Sequence, residues 1–256
     1  MSHVICVANL DEKTGRTSTA VNFAASLSVL EKRVLLVDCD PAGNASSILG
    51  AEALSYDFGL IDLLSGVVGG RSVLRSTEIG HLDLIPTGED LRSIDRALAM
   101  NPEKEKVLTI IIQKFKEQYD YIVFDTPADK GFLTQSALYA CDSLIIPVHP
   151  GPNAVQSIYN VLGFAGKLRQ GMDNPVKLSG ILFNRCRDLA EAEVCCDPHE
   201  IRELRSAFFP VTIPSSPVAG DSRKPVCLCD VKSGCADAFL DLSFEFLYRE
   251  KRTDKA

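Results

Sequence analysis

Long hydrophobic runs are missing from this chain of 256 residues, although 46% of it is hydrophobic. No apolar stretch approaches the roughly 18 residues that a membrane-spanning helix needs. The N-terminus, MSHVICVANL, lacks a basic segment followed by an apolar core of the secretory type. These two absences predict a chain that stays in the cytoplasm. Positive charge is also scarce: 27 Lys and Arg against 34 Asp and Glu leave a net charge of −7. That balance argues against a broad phosphate-neutralising surface of the kind that binds DNA regardless of sequence, although a local basic patch would survive it. Internal repeats and low-complexity tracts are absent as well.

What is present is an alternation of strand-like and helix-like segments. Apolar, β-branched runs at Val4–Ala8, Val34–Val37, Leu82–Ile85, Tyr121–Phe124, Leu144–Val148 and Lys177–Phe183 lack polar alternation, as strands buried on both faces do. Helical patterns lie between and after them, near Thr17–Leu30, Leu91–Met100, Pro102–Gln118, Gly131–Ala140, Asn153–Gln170, Asp197–Ala207 and Gly234–Glu250. The order predicts an α/β fold with a doubly wound, mostly parallel sheet. The length suits a single domain over residues 1–256. Lys251–Ala256 reads as a polar, frayed tail.

Three strand ends carry the chemistry, and ligands of open parallel sheets sit at the carboxyl ends of strands. After the first, NLDEKTGRTSTAVN leads into a helix, the arrangement in which loop amides and a helix N-terminus cradle phosphate. Gly15-Arg16-Thr17 stand where a phosphate loop has Gly-Lys-Thr, but Leu10 replaces the first glycine of that motif. Asp38-Cys39-Asp40-Pro41-Ala42-Gly43-Asn44 follows the second run and Asp125-Thr126-Pro127 the fourth. The series ANLDEKTGRTSTAVNFAASL, RVLLVDCDPAGNAS, YDYIVFDTPAD and ILFNR resembles the ParA/Soj/MinD group of deviant Walker-type partition ATPases, from about Val4 to Tyr248 and in family order.

The resemblance implies a P-loop NTPase-like fold that binds ATP and Mg²⁺. It implies that Thr17 offers its hydroxyl to Mg²⁺, that Ser18 and the amides from Gly15 to Thr19 meet phosphate, and that Asp125 ties a Mg²⁺-bound water to the sheet. By the same token Asp40 senses the γ-phosphate and orients the attacking water, Arg16 takes the place of the phosphate-binding lysine, Asn184 holds the adenine-reading position, and Pro214 falls near the segment flanking the base. Structural alternatives stand beside these roles: Asp38 as a strand-end cap, Thr17 as a helix N-cap, Asn184 as a turn former.

The departures from the family pattern carry their own expectation. Asp11 stands at the signature lysine that crosses a dimer interface, and Glu12 and Lys13 replace two glycines. Side chains at positions that tolerate φ > 0 cost roughly 1–3 kcal/mol each. Arg16 keeps the charge, but its planar fork does not substitute freely for a compact ammonium. Weakened or absent ATP binding and very slow hydrolysis are the prediction.

The family further implies a homodimer, a ParB-like partner, cargo such as a chromosome or plasmid, and DNA contact at the nucleoid. The basic candidates here are Arg185, Arg187, Arg202, Arg205, Arg223 and Lys224, and a solvated charged helix face is the favoured reading over DNA contact. Phe239, Leu242, Phe246 and Leu247, at near-helical spacing, read as packing on a sheet rather than as a membrane-binding face. Nine cysteines without a secretory leader read as reduced thiols, with Cys6, Cys39 and Cys141 in the core. Cys195, Cys196, Cys227, Cys229 and Cys235, near His199, lack C-x-x-C spacing, although relatives of this ATPase class include iron–sulfur carriers.

Overall fold

The computed structural model describes residues 2–50, 58–88, 103–170, 172, 176–196, 198–216 and 224–253. Seven strands form one sheet: β1 His3–Val7, β2 Val34–Asp38, β3 Arg75–Ser76, β4 Leu82–Ile85, β5 Tyr121–Asp125, β6 Ser143–Val148 and β7 Lys177–Phe183, in spatial order β3-β4-β2-β5-β1-β6-β7. All pairings are parallel except that of β3 with β4. The six runs read from sequence are strands within one residue of the expected ends. The two-residue antiparallel edge β3 was missed, being too short and polar to show periodicity.

Period-two alternation divides the core. Val4 and Cys6 of β1, Leu35 and Val37 of β2, and Ile122 and Phe124 of β5 face one side. Ile5, Val7, Val34, Leu36, Tyr121 and Val123 face the other. Helices cover both faces: α1 Arg16–Val29, α2 Asn44–Ile48, α3 Val107–Ile112, α4 Phe132–Ala140, α5 Ala154–Leu168, α6 Leu189–Cys195, α7 Pro198–Leu204 and α8 Gly234–Thr253, together with short helical turns. Phe23 of α1 meets Phe246 of α8 edge to face at 5.2 Å between ring centroids. Aromatic pairs in that geometry gain beyond their buried area.

Several helix bounds differ from expectation for local reasons. The run to Gln118 stops as an α-helix at Ile112, because from there the hydrogen bonds tighten to the i−3 pattern, Lys114 N to Ile111 O, Phe115 N to Ile112 O and Gln118 N to Phe115 O. Arg202 lies on α7 and Arg205 opens a separate 3₁₀ turn, Arg205–Ala207, so the two do not share one regular helix face. Residues 251–253, expected to fray, continue α8. The helix expected at Leu91–Met100 lies outside the described residues, as do Asp197 and Arg223. In α8, Phe239, Leu242 and Phe246 are buried and Leu247 is half-buried, as the packing reading requires. No helix among the described residues is long and apolar enough to cross a membrane.

Cys6, Cys39 and Cys141 are buried, and none of the nine cysteines forms a disulfide. Burial pushes the Cys6 and Cys39 thiols well above their ordinary range. No group of three or more His, Cys, Asp or Glu among the described residues is placed to hold a metal ion.

Candidate functional site

Parallel register brings the acidic residues together. Asp125 pairs with Val7 on one side and with Asp38 on the other, so two fully buried carboxyls lie level at the carboxyl ends of neighbouring strands. Their surroundings differ. Asp38 accepts hydrogen bonds from Ser46 N at 2.8 Å, Ser46 Oγ at 2.6 Å and Asp40 N at 3.1 Å. Burial pushes its pKa up to about 6, with the Ser46 contacts pulling the other way. Ser46 Oγ also receives Thr87 N at 3.2 Å, so Asp38 ties β2, α2 and the turn after β4 into one unit. The strand-end cap is therefore the role the geometry gives Asp38.

Neither oxygen of Asp125 accepts a hydrogen bond of ordinary geometry, although the Thr17 side chain lies close enough to favour the charged form. Burial first, and then the charge of Asp38, hold its carboxyl well above the usual carboxylate range, while Thr17 and Arg16 pull it back in part. An orphaned, buried carboxylate beside a threonine at a helix start is the donor set that Mg²⁺ uses when phosphate and water complete its shell. Asp125 and Thr17 thus fit a Mg²⁺ ion. Asp40 is half-buried, its Oδ1 accepts Ala42 N at 2.9 Å, and its charge is close enough to act on Asp125.

The loop from Asn9 to Gly15 is held from within. Asn9 is buried, donating to Pro147 O at 2.9 Å and accepting from Ser157 Oγ and from Asp11 N, each at 2.9 Å. Arg16 turns back over the loop: Nε donates to Thr126 O at 3.0 Å, and Nη1 to Asn9 O at 3.2 Å and to Asp11 O. Its guanidinium therefore braces main-chain carbonyls from the turns after β1 and β5. Burial lowers its pKa, opposed by Asp125, Asp40, Asp129 and Glu12. The motif puts Arg16 at the right place in the chain, but the phosphate-facing direction implied for its side chain is not the one observed.

Asp11, Glu12 and Lys13 are exposed. Lys13 has φ +61°, the left-handed conformation that the missing glycine would have adopted without strain. Lys13→Gly is expected to stabilise the chain by about 1 kcal/mol, read as a higher urea midpoint at unchanged slope. An unchanged or lower midpoint would contradict this.

Gly15, at φ +87°, is the N-cap of α1, and no side chain caps the helix, so the Thr17 hydroxyl does not serve as N-cap. A Cβ at position 15 would lie 2.5 Å from Asn184 Nδ2. That amide donates to Thr14 O at 2.9 Å and Thr19 Oγ1 at 3.1 Å. Asn184 therefore clamps the loop with its amide hydrogens, so the base-reading role implied for it falls to its side-chain oxygen. A cavity of about 120 Å³ is bordered by Gly15, Ser18, Asn184, Pro214 and His149. It unites four residues expected to bind cofactor, while Thr17, Arg16 and Asp40 do not line it and lie instead close enough to Asp125 to act on its carboxyl. Sequence reading missed His149, whose only signal was a lone His-Pro step directly after a buried strand. A roomier cavity of about 400 Å³ sits at the other end of the sheet, where His3 pairs with Glu250 at 3.2 Å and Arg249 with Glu245 at 2.7 Å.

Of the described basic candidates, two lie beside carboxylates. Arg185 and Arg187 are exposed, and Arg187 Nε lies 3.6 Å from Asp188 Oδ2. Lys224 pairs with Glu78 at 3.0 Å.

Comparison with known proteins places this geometry among relatives. The AAA-domain family model matches residues 2–178. The chromosome partitioning protein ParA of Myxococcus xanthus is 30% identical over 257 residues, covering 98% of this chain and 89% of that protein. The sporulation initiation inhibitor protein Soj of Bacillus subtilis is 30% identical over 252 residues, covering 96% and 98%. Among solved structures, the septum site-determining protein MinD of Pyrococcus horikoshii, complexed with Mg-ADP, superposes with a TM-score of 0.78 at 22% identity, covering 96% of each chain.

Proposed function

This chain belongs to the ParA-like partition ATPase family, and from that premise we propose that it is a single-domain, nucleotide-dependent dimer switch for partitioning a chromosome or plasmid or positioning other cargo, with slow ATP hydrolysis. The observation that carries the nucleotide part is the Asp125 carboxyl, buried with both oxygens unpartnered, level with the end of β1 and close to Thr17 of α1. A fold retains an unsatisfied buried carboxyl at a cost, and a Mg²⁺ ion with a nucleotide removes that cost.

In this reading Thr17 holds Mg²⁺ directly and Asp125 holds it through water. The amides from Gly15 to Thr19 and the Ser18 hydroxyl hold phosphate oxygens at the α1 N-terminus. Asp40 orients water near Asp125. When bound, Mg²⁺ neutralises charge developing on the transferred phosphoryl group. The slow step follows from Arg16: to face a phosphate, its guanidinium must release the carbonyls of Asn9, Asp11 and Thr126. Asp11 and Glu12 add like charge near the incoming anion. A non-hydrolysing regulator or interaction subunit is the second reading, and the same brace favours it.

Titrating the purified chain with ADP and ATP, with and without Mg²⁺, while following phosphate release and oligomeric state tests the proposal. Expected are Mg²⁺-dependent binding, turnover far below that of a relative with an intact loop, and a dimer favoured by ATP. Turnover equal to that relative's sinks the slow-switch reading. Stimulation by a ParB-like partner favours the switch, whereas a partner bound equally with and without nucleotide favours the regulator. DNA contact is expected to be weak. A duplex mobility shift that fades between 50 and 200 mM salt and disappears in Arg202→Ala/Arg205→Ala would assign it to that segment. A shift unchanged in the double variant would remove the segment from the reading.

A further inference from the structure

Four non-glycine residues among those described have a positive φ: Lys13, Glu31, His81 and Arg185. Glu31 and His81 lie in the turns that lead into β2 and β4. Lys13 and Arg185 follow β1 and β7, and both border the cavity of about 120 Å³ that also touches Gly15 and Ser18. At φ +61° and φ +53° each side chain is held in left-handed backbone that a glycine would adopt without strain. Residues kept in such conformations cluster where ligands are gripped. Charge makes the coincidence more specific. Both side chains are exposed, and neither forms an ion pair with a described residue. No Asp or Glu among the described residues borders the cavity, although the chain carries a net charge of −7 and Asp11 and Glu12 belong to the same loop as Lys13. Two unpaired cations thus converge on a space that no acid enters. Like charges brought together repel, and an anion between them turns both interactions attractive.

We propose that Lys13 and Arg185 form a two-cation clamp on the nucleotide phosphate that lies beside Gly15 and Ser18, supplying the charge that Arg16 withdraws into its brace on Asn9 O and Thr126 O. The proposal rests on the nucleotide reading above. It gives the lysine in place of a glycine a second consequence: the substitution strains the loop, and it also returns to the loop a cation that points at the ligand cavity. The two side chains suit the task differently, a flexible ammonium from the phosphate loop and a planar fork from the end of β7 that can meet two phosphate oxygens at once. Because both are exposed, salt screens their pull on the anion.

Calorimetric titration with ADP and Mg²⁺ on the full chain, at about 50 and about 200 mM salt, tests the clamp. Lys13→Gln and Arg185→Gln are each expected to weaken ADP about tenfold at the lower salt and by less at the higher. Lys13→Gly should weaken ADP as much while raising the urea midpoint, which separates lost charge from a damaged fold. Arg185→Lys keeps the charge and should keep most of the affinity. Lys116→Gln removes an equal charge at the amino end of the sheet, beside His3, and should leave ADP binding as it is. Affinity and salt dependence unchanged in both Gln variants overturn the proposal. A loss confined to one of them overturns the joint clamp, and an equal loss in Lys116→Gln assigns the effect to net charge and overturns it as well. A wild type that binds no ADP removes the nucleotide reading itself, whereas tight binding indifferent to Lys13 and Arg185 removes only the clamp.

Discussion

Asp125→Asn is expected to stabilise the metal-free protein at pH 7 by about 2–3 kcal/mol, a rise of roughly 5–10 °C in Tm, while abolishing the Mg²⁺ dependence of nucleotide binding. Both effects have one cause. The carboxyl accepts no hydrogen bond of ordinary geometry and lies level with the equally buried Asp38. The fold must therefore keep a proton there against the solvent or hold an unpaired charge. The amide removes the charge and with it the ligand. The sign of the pH dependence follows. Asp38 has its pKa raised to about 6 and that of Asp125 is raised well above the ordinary range, whereas unfolded carboxyls titrate near pH 4. Between those values the folded chain binds more protons than the unfolded one, so wild-type stability without metal should fall as pH rises from about 4 through 6. Thermal melts over that range, with and without Mg-ADP, check this. A lower Tm for Asp125→Asn without metal, together with an undiminished Mg²⁺ effect, would show that the carboxyl is not kept for a cation.

The second large effect is expected from rebuilding the loop. A variant carrying Asp11→Lys, Glu12→Gly, Lys13→Gly and Arg16→Lys should release phosphate from ATP about 100-fold faster than the wild type, roughly 2.7 kcal/mol off the barrier. Two things change. Replacing the two acids turns a loop of nearly balanced charge positive, and a lysine at position 16 cannot span Thr126 O and Asn9 O as the guanidinium does. Its ammonium is then free to face the phosphates. Arg16→Lys alone should deliver part of the gain, with some loss of stability as the carbonyls lose their donor. Equal rates for wild type and the rebuilt loop would show that the brace opens without penalty.

The fold was legible because its determinants are local and periodic. Buried parallel strands announce themselves as β-branched runs, and their carboxyl ends then locate the acidic turns, so Asp38, Asp40 and Asp125 could be placed from sequence. Directions of side chains could not. Nothing in GRT reveals that Arg16 folds back onto three carbonyls, because those carbonyls come from two strand turns more than 100 residues apart. Asn184 illustrates the same limit: its position at the end of β7 was readable, but the engagement of its amide by Thr14 and Thr19 depends on how closely two loops approach. His149 was overlooked because a single histidine after a strand carries no pattern, and its contact with Asn184 O depends on how the ends of β6 and β7 meet. The glycine replaced by Lys13 was half an exception: its backbone consequence, φ +61°, was foreseeable from residue type, but the same expectation for Glu12 fails, since its φ is not positive.

The approach of Asn184 to Gly15 also constrains how this lineage can drift. With 2.5 Å between the amide nitrogen and the place a β-carbon would take, neither site can change by itself: a methyl at 15 evicts the amide, and a shorter residue at 184 leaves Thr14 and Thr19 without their tether. Descendants that lose the one should have lost the other, and an ancestor reconstructed with only one of them should be the least robust member of the tree.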